Sequence, residues 1–359
     1  MTRRRLTILS VAVGVPLGLG LVMAEQYFGE PPVSPLYLLL FFVLFLMVHV
    51  TLHETGHVIG AIAAQLEPVN IRIGPLEFQK AGTTWRAKLT GVAFFGGGVI
   101  CIPRSEDRLR ERLAVCIASG AAANLLTCLS VLPLLSLSVM GFIFGTFCFT
   151  GLLLSFIALY PREVAGISTD GRKLLQLFEG GPVSDRMTAS LLLLAASFRG
   201  VRASAWPPEI VEQLLAVQTN SAEDYHALGF AYIRAIDEGN LKEARNLHDQ
   251  ARAKLAFVPP SSIHGYTLEA AFLAAVEGNA TEAEALLSQV SPKKVRTSSL
   301  MRVGAAVALA AGKPDEAVKL SLQGLQAAER EWDPLSLPVD VEWLSSRCPN
   351  NPQRSRLSP

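Results

Sequence analysis

The residues best suited to chemistry are two histidines and a glutamate inside a long apolar run. His53-Glu54-Thr55-Gly56-His57 places the imidazoles four residues apart, and such positions share one face of a helix. Both rings can therefore bind one metal ion. Glu54 can accept the proton of a water molecule that the metal activates. The spacing predicts a catalytic metal site; the alternative is a chance match on a core helix.

The surroundings of this motif are typical of a membrane protein. Pro35–Leu52, directly before it, contains no charged residue. Ionisable side chains at membrane depth are costly and indicate function. The chain is 50% hydrophobic and 18% charged, which suits a protein that is partly embedded in the bilayer and partly soluble. A net charge of +1, with no basic cluster among aromatic residues, argues against a nucleic-acid partner.

Apolar runs predict four transmembrane helices, at about residues 6–23, 35–66, 113–132 and 141–160. The first lacks a small-x-small cleavage site, which favours an uncleaved anchor over a signal peptide. Lys and Arg cluster before the first span, between the second and third, and after the fourth, while the other two connections contain none. The positive-inside rule then places both termini in the cytoplasm. We expect an integral protein of a bacterial plasma membrane, with His53 and His57 near the cytoplasmic face.

A catalytic zinc site needs a third protein ligand and one open position. Asp170 begins an amphipathic helix after the fourth span, at a matching depth. Ser168, Thr169 or Asp170 could instead cap that helix, and the residues alone leave this choice open. Glu163 is the other carboxylate available, and we interpret it as a surface residue.

Three motifs together resemble the site-2 protease family of intramembrane zinc metalloproteases: His53–His57, Gly120-x-x-x-Asn124 and Asp170-Gly. The resemblance covers about residues 35–178. It implies an all-α polytopic membrane fold, zinc as cofactor and Asp170 as the third zinc ligand. It also implies that Asn124 binds substrate or stabilises the transition state. The alternative for Asn124 is a hydrogen bond between helices that only holds the bundle together.

The segment between the second and third spans has strand-like alternation and a run of glycines, Gly96, Gly97 and Gly98. The resemblance implies a small membrane-associated β-hairpin here. A substrate helix must unwind before cleavage, and the extended segment could pair with an exposed strand edge. The glycines would permit that close approach. The alternative is a flexible glycine linker.

The C-terminal half carries three copies of one pattern: Gly239-Asn-Leu-Lys-Glu-Ala244, Gly278-Asn-Ala-Thr-Glu-Ala283 and Gly312-Lys-Pro-Asp-Glu-Ala317. Each lies between two amphipathic segments, which predicts helix-turn-helix repeats. The pattern resembles tetratricopeptide repeats, whose concave surfaces bind protein partners. We therefore divide the chain into a membrane metalloprotease domain at 1–178, a cytoplasmic α-helical repeat domain at 179–332 and an irregular Pro-rich tail at 333–359.

Two functions of different classes follow. The first is an intramembrane zinc endopeptidase that cuts membrane proteins near the cytoplasmic face, with a cytoplasmic protein partner on the repeats. The second is a catalytically silent, membrane-anchored repeat scaffold. The presence of His53, Glu54, His57 and Asp170 together favours the enzyme. A metalloprotease with glutamate as third ligand is less well supported, because the third and fourth spans contain no glutamate.

Overall fold

The computed structural model describes residues 34–81, 84–90, 96–136, 138–164, 167–331 and 333–348. The chain forms two compact units. The membrane unit comprises residues 1–162 and 168–178, and the helical unit comprises residues 163–167 and 179–359.

The membrane unit contains three long apolar helices: α1 (Pro35–Ala63), α2 (Leu109–Val131) and α3 (Ser138–Leu159). The stretches long and apolar enough to cross a bilayer are Leu36–Ala63, Leu109–Leu135 and Phe142–Leu159, of which the second continues four residues past the end of α2. These agree with the second, third and fourth predicted spans. The predicted first span lies outside the described residues.

The side chains of these helices are distributed as lipid requires. Large apolar groups face outward, including Leu126 and Phe156, which are 65% and 66% exposed. Polar groups such as His49 and Thr150 are buried between the helices. Lipid tails give no hydrophobic drive for helix association, so close backbone approach and interhelical hydrogen bonds hold such a bundle together.

Four antiparallel strands connect α1 to α2, in the order β3-β2-β1-β4. They are β1 (Leu66–Ile73), β2 (Leu76–Ala81), β3 (Thr84–Leu89) and β4 (Gly97–Pro103). Gly74, with φ +56°, turns the chain between β1 and β2.

The prediction of a small hairpin in this region is therefore corrected to a four-stranded sheet. The β1–β2 hairpin exists, but β3 and β4 extend it on either side. All six residues of β3 are exposed, so that strand lacks the buried apolar face from which strands are recognised in a sequence.

After α3, the short strands β5 (Glu163–Val164) and β6 (Ile167–Ser168) pair, and α4 (Asp170–Glu179) follows. The helical unit then contains α5 to α13. Their bounds are Gly181–Phe198, Pro208–Leu215, Ala222–Asp237, Leu241–Arg252, Ser262–Val276, Ala280–Leu287, Thr297–Ala310, Pro314–Ala328 and Leu337–Ser346.

The three repeated motifs form the turns between α7 and α8, α9 and α10, and α11 and α12. Gly239, Gly278 and Gly312 have φ of +73°, +87° and +72°, a conformation that glycine adopts without the usual steric cost. The residue after each glycine donates its N–H back into the preceding helix. In the first two turns that residue is Asn240 or Asn279, whose side chain caps the next helix. These motifs are thus helix-turn-helix joints.

The tail beyond Trp332 was predicted to be irregular, and this is wrong for part of it. Residues 337–346 form α13, with Val339 and Leu344 buried. Pro338 lies in the first helical turn, where no hydrogen-bonded N–H is needed. Proline content therefore concealed a short amphipathic helix.

Candidate active site

The His-Glu-x-x-His motif lies in the second half of α1. About 18 residues of α1 precede His53, which gives a rise of roughly 27 Å against a hydrocarbon core of about 30 Å. The Nε2 atoms of His53 and His57 are 3.1 Å apart, and the rings meet edge to face at 4.6 Å between centroids. Both side chains are buried, so the helix presents two imidazoles to one enclosed point.

The structure brings Asp170 to the same point. Its Oδ2 atom is 3.0 Å from His53 Nε2 and 3.2 Å from His57 Nε2. Asp170 is the first residue of α4, and the helix is capped by its neighbour: the Thr169 hydroxyl accepts the N–H of Arg172 at 3.4 Å. The Asp170 carboxylate is thereby left to the histidines.

Gly171 explains how α4 begins so close to the bundle. A Cβ at this position would collide with the backbone carbonyl of Leu159 at the end of α3. Glycine therefore lets the first turn of α4 pack against that helix end. The Asp-Gly pair combines a candidate ligand atom with the close approach that positions it.

The three donor atoms fit a zinc ion. Within the described residues, His53, His57 and Asp170 are the one group of three or more His, Cys, Asp or Glu whose ligand atoms lie within 4.8 Å of one another. Zinc–nitrogen distances of about 2.0–2.1 Å in tetrahedral geometry place ligand atoms roughly 3.3 Å apart. The observed separations of 3.0 to 3.2 Å match one face of such a tetrahedron and leave a fourth position for another ligand.

Neighbouring groups set the state of these ligands. His57 Nδ1 donates to the Cys116 carbonyl at 2.8 Å, which leaves the Nε2 lone pair facing the site. His53 Nδ1 is buried and has no hydrogen-bond partner among the described residues. Burial alone would raise the pKa of Asp170, but without a metal ion hydrogen bonds from imidazoles protonated at Nε2 outweigh it and hold that pKa well below the ordinary value. Asp170 is therefore a carboxylate at neutral pH, as a metal ligand must be. A bound metal ion would replace those Nε2 protons.

Glu54 lies against the sheet edge. It is buried, and its Oε2 atom has no hydrogen-bond partner in the described part of the chain. A Cβ on Gly97, the first residue of β4, would collide with the Glu54 carboxylate, whereas a Cβ on Gly98 would meet nothing within 4 Å. The spacing of the histidine motif gave no sign of this contact between α1 and β4.

Asn124 is completely buried on α2 and joins a network of three helices. Its side-chain amide lies 3.1 Å from His49 Nδ1, and His49 Nε2 donates to the Phe147 carbonyl on α3 at 2.9 Å. Nδ1 is then an acceptor, so the Asn124 amide group donates to it. Gly151 makes room for the His49 ring, because a Cβ there would collide with it. These bonds fit the interhelical alternative for Asn124, and its role toward substrate remains a prediction.

The remaining predicted residues contribute no atom to the ligand set found among the described residues. Gly96 directly precedes β4, and its carbonyl accepts the N–H of Gly74 at 2.7 Å. Glu163 is exposed in β5. Gly120 on α2 faces the imidazole of His57, which a Cβ would strike. Gly97, Gly120 and Gly171 therefore share one role. Each lacks a Cβ that would collide with Glu54, His57 or the Leu159 carbonyl, respectively.

Comparison with known families identifies this arrangement. Residues 41–327 match the family described as Peptidase family M50. The match covers most of the chain, and the protein belongs to this family of intramembrane metalloproteases, whose members are zinc enzymes. The match extends far into the helical unit, beyond the predicted resemblance at 35–178. No curated protein and no solved structure matched the chain.

Proposed function

We propose that this protein is a zinc endopeptidase that cleaves transmembrane segments of membrane proteins near the cytoplasmic face. The observation that carries the proposal is the convergence of His53, His57 and Asp170 next to Glu54 at the far end of an apolar helix. Family membership supports the same reaction class.

His53, His57 and Asp170 would hold the zinc ion. When bound there, zinc supplies a Lewis acid that polarises the scissile carbonyl and makes water a stronger nucleophile. Glu54 then accepts a proton from the attacking water at Oε2, which has no partner among the described residues, and passes it to the leaving amine nitrogen. Burial of Glu54 excludes bulk water, which favours this directed transfer.

The free edge of β4 is the proposed substrate site. β4 is the last strand in the order β3-β2-β1-β4, so one edge carries no described strand. Gly97 at its start lies against Glu54, so an extended peptide paired with β4 would run past the catalytic carboxylate. This arrangement supports a binding role for Gly96, Gly97 and Gly98 through their backbone.

Loop charges support a cytoplasmic position for the site. Six Lys or Arg residues lie between α1 and α2, two more (Arg110 and Arg112) lie at the start of α2, and the α2–α3 connection has none. The helical unit follows α3, so the C-terminus would be cytoplasmic, and the predicted span at about residues 6–23 would place the N-terminus there too. We further propose that the helix-turn-helix units are tetratricopeptide-like and bind a cytoplasmic protein partner.

Metal removal tests the enzymatic proposal. Purified protein in bilayer discs should cleave a single-span substrate, lose activity with a zinc chelator and recover it on addition of zinc. The cleavage position, read by mass spectrometry, should fall in the cytoplasmic half of the substrate span. Cleavage that persists in metal-free protein would contradict the proposal.

A further inference from the structure

The helical unit contains a pocket of about 290 Å³ whose lining includes no residue of the candidate active site. Its walls come from α7, α8, α9, α11 and α13 and from the segment before α11. Apolar and aromatic groups dominate the lining, among them Tyr225, Tyr266, Ile233 and Val339. Ligand sites in proteins are commonly such concave, mainly apolar spaces with a few polar groups.

The acidic groups of the pocket are already compensated. Glu269 accepts hydrogen bonds from Arg302 at 2.6 and 2.7 Å and from the Tyr232 hydroxyl at 2.7 Å. Asp340 accepts from Arg296 at 2.8 Å and lies 2.7 Å from Arg302 Nε. These ion pairs form one polar side of the pocket, called the ion-paired wall below. Because arginines already neutralise its carboxylates, the wall does not favour a cationic ligand.

Several donors in the same lining have no acceptor. Lys294 is exposed and has no ion pair among the described residues. The hydroxyls of Tyr225 and Tyr266 make no hydrogen bond within that part of the chain, and Arg296 Nη1 is shielded from solvent without a partner there. Among these donors Arg296 Nη1 is the shielded one, and a shielded donor without a partner is costly. Lys294 and the tyrosine hydroxyls are open donors beside it, so the pocket favours a ligand that brings anionic or carbonyl oxygens.

Two glycines of the pocket wall give a second, independent sign of a ligand. Gly229 lies in the middle of α7 and Gly265 in the first turn of α9, and both line the pocket. A Cβ at either position would meet no heavy atom within 4 Å. Glycine destabilises a helix interior by roughly 0.5–1 kcal/mol relative to alanine. Packing in the free protein gives no reason for glycine here, whereas a bound ligand would.

We propose, on the basis of the partner-binding role proposed above for the helical unit, that this pocket binds a peptide through an apolar side chain and an adjacent carboxylate. Lys294 and the hydroxyls of Tyr225 and Tyr266 donate hydrogen bonds to that carboxylate. The apolar lining takes the side chain, and the ion-paired wall offers acceptors for peptide N–H groups. A long acyl chain would instead leave those wall groups facing hydrocarbon. The carboxylate could belong to a chain end or to an internal acidic residue.

Ligand-observed NMR on the full-length protein in bilayer discs tests this. The probes are N-acetyl-phenylalanine, acetyl-Phe-Glu-amide, N-acetyl-phenylalaninamide and octanoate, with empty discs as background. We expect saturation transfer to at least one of the first two, with affinity about tenfold or more above that of the neutral amide, as a hydrogen bond to a charged group would give. The first probe reports a chain end and the second an internal acid. Equal binding of the neutral amide, tighter binding of octanoate or no transfer to any probe would overturn the proposal.

Matched variants locate the site. Lys294→Gln should lower the affinity for whichever carboxylate-bearing peptide probe binds by about three- to tenfold. Lys293→Gln, outside the pocket lining, should leave that affinity unchanged. Gly229→Met should fill the pocket and abolish transfer without lowering the melting temperature. Gly304→Ala, in α11 outside the lining, is the glycine control. If Gly229→Met and Lys294→Gln both bind like wild type, the pocket is not the site.

Discussion

At the scale of residues, the candidate ligands differ in what holds them in place. The Cys116 carbonyl fixes the ring of His57, and Thr169 takes over the helix cap that would otherwise occupy Asp170. The described residues offer His53 Nδ1 no such partner. The geometry of the set therefore depends strongly on Asp170, whose carboxylate touches both rings.

Replacement of the Asp170 carboxylate should greatly reduce zinc binding. We expect Asp170→Ala to lose zinc as severely as His53→Ala, since an open site with two protein ligands binds zinc poorly. Metal content per protein after dialysis, measured by plasma mass spectrometry, checks this. Glu163→Ala is the matched control and should keep its zinc. Full occupancy in the Asp170 variant would demote Asp170 to a structural residue.

The two histidines of the site can be predicted from the sequence, whereas the third candidate ligand cannot be assigned from it alone. Helix periodicity alone brings His53 and His57 to one face, so their spacing suffices. Asp170 lies 117 residues beyond His53, and a carboxylate at a helix start serves equally well as a cap. Only the fold shows that Thr169 does the capping. The network of His49, Asn124 and the Phe147 carbonyl was hidden because one partner is a backbone atom.

At the scale of elements, the edge strand β4 contacts α1 through Gly97. Gly97 lies against Glu54, while its neighbour Gly98 has open space. The two positions are adjacent in β4 and differ only in the face of the strand that they occupy. This pair allows the contact between strand and catalytic helix to be tested by one methyl group.

Gly97→Ala should lower kcat about tenfold or more, because the added methyl must displace the Glu54 carboxylate, and small misplacements of a catalytic group are costly. Gly98→Ala should stay near wild type. Zinc content should be normal in both variants, which separates a displaced base from a lost metal. Equal rates for the two variants would mean that β4 does not position Glu54.

The helices of the fold were easier to predict than the sheet. Long charge-free runs indicate membrane spans directly, and α1, α2 and α3 lie where such runs occur. β3 has no buried face, and α13 begins with a proline-containing turn, so neither carries a strong periodic signal. Such elements depend on their neighbours for stability, which local sequence does not reveal.

At the scale of the whole molecule, the helical unit relies on buried ion pairs as well as apolar packing. Asp224 is buried and bonds with Arg186 Nη1 at 2.7 Å and Lys254 Nζ at 3.0 Å. Burial alone would raise the pKa of Asp224. Hydrogen bonds from the Thr219 backbone and from the two cations outweigh this and hold the pKa well below its ordinary value.

This shift predicts a loss of stability in acid. A depressed folded-state pKa stabilises the protein above the unfolded value of about 4, and that stabilisation disappears as the pH falls toward the folded value. Asp224→Asn should cost about 3–5 kcal/mol at pH 7, because it leaves two buried cations uncompensated. The difference from wild type should shrink near pH 3. Denaturant unfolding of the full chain at both pH values checks this, with exposed Asp315→Asn as control. A pH-independent difference would contradict the assignment.

The central claim is that Glu54 serves as the base beside a zinc ion held by His53, His57 and Asp170. The most direct test is cleavage of a single-span substrate by purified wild type and Glu54→Gln, with zinc content measured on the same samples. Glutamine keeps the shape but cannot accept the proton, so we predict a rate lower by roughly a hundredfold or more with zinc unchanged. Near-wild-type cleavage by zinc-loaded Glu54→Gln would contradict the account.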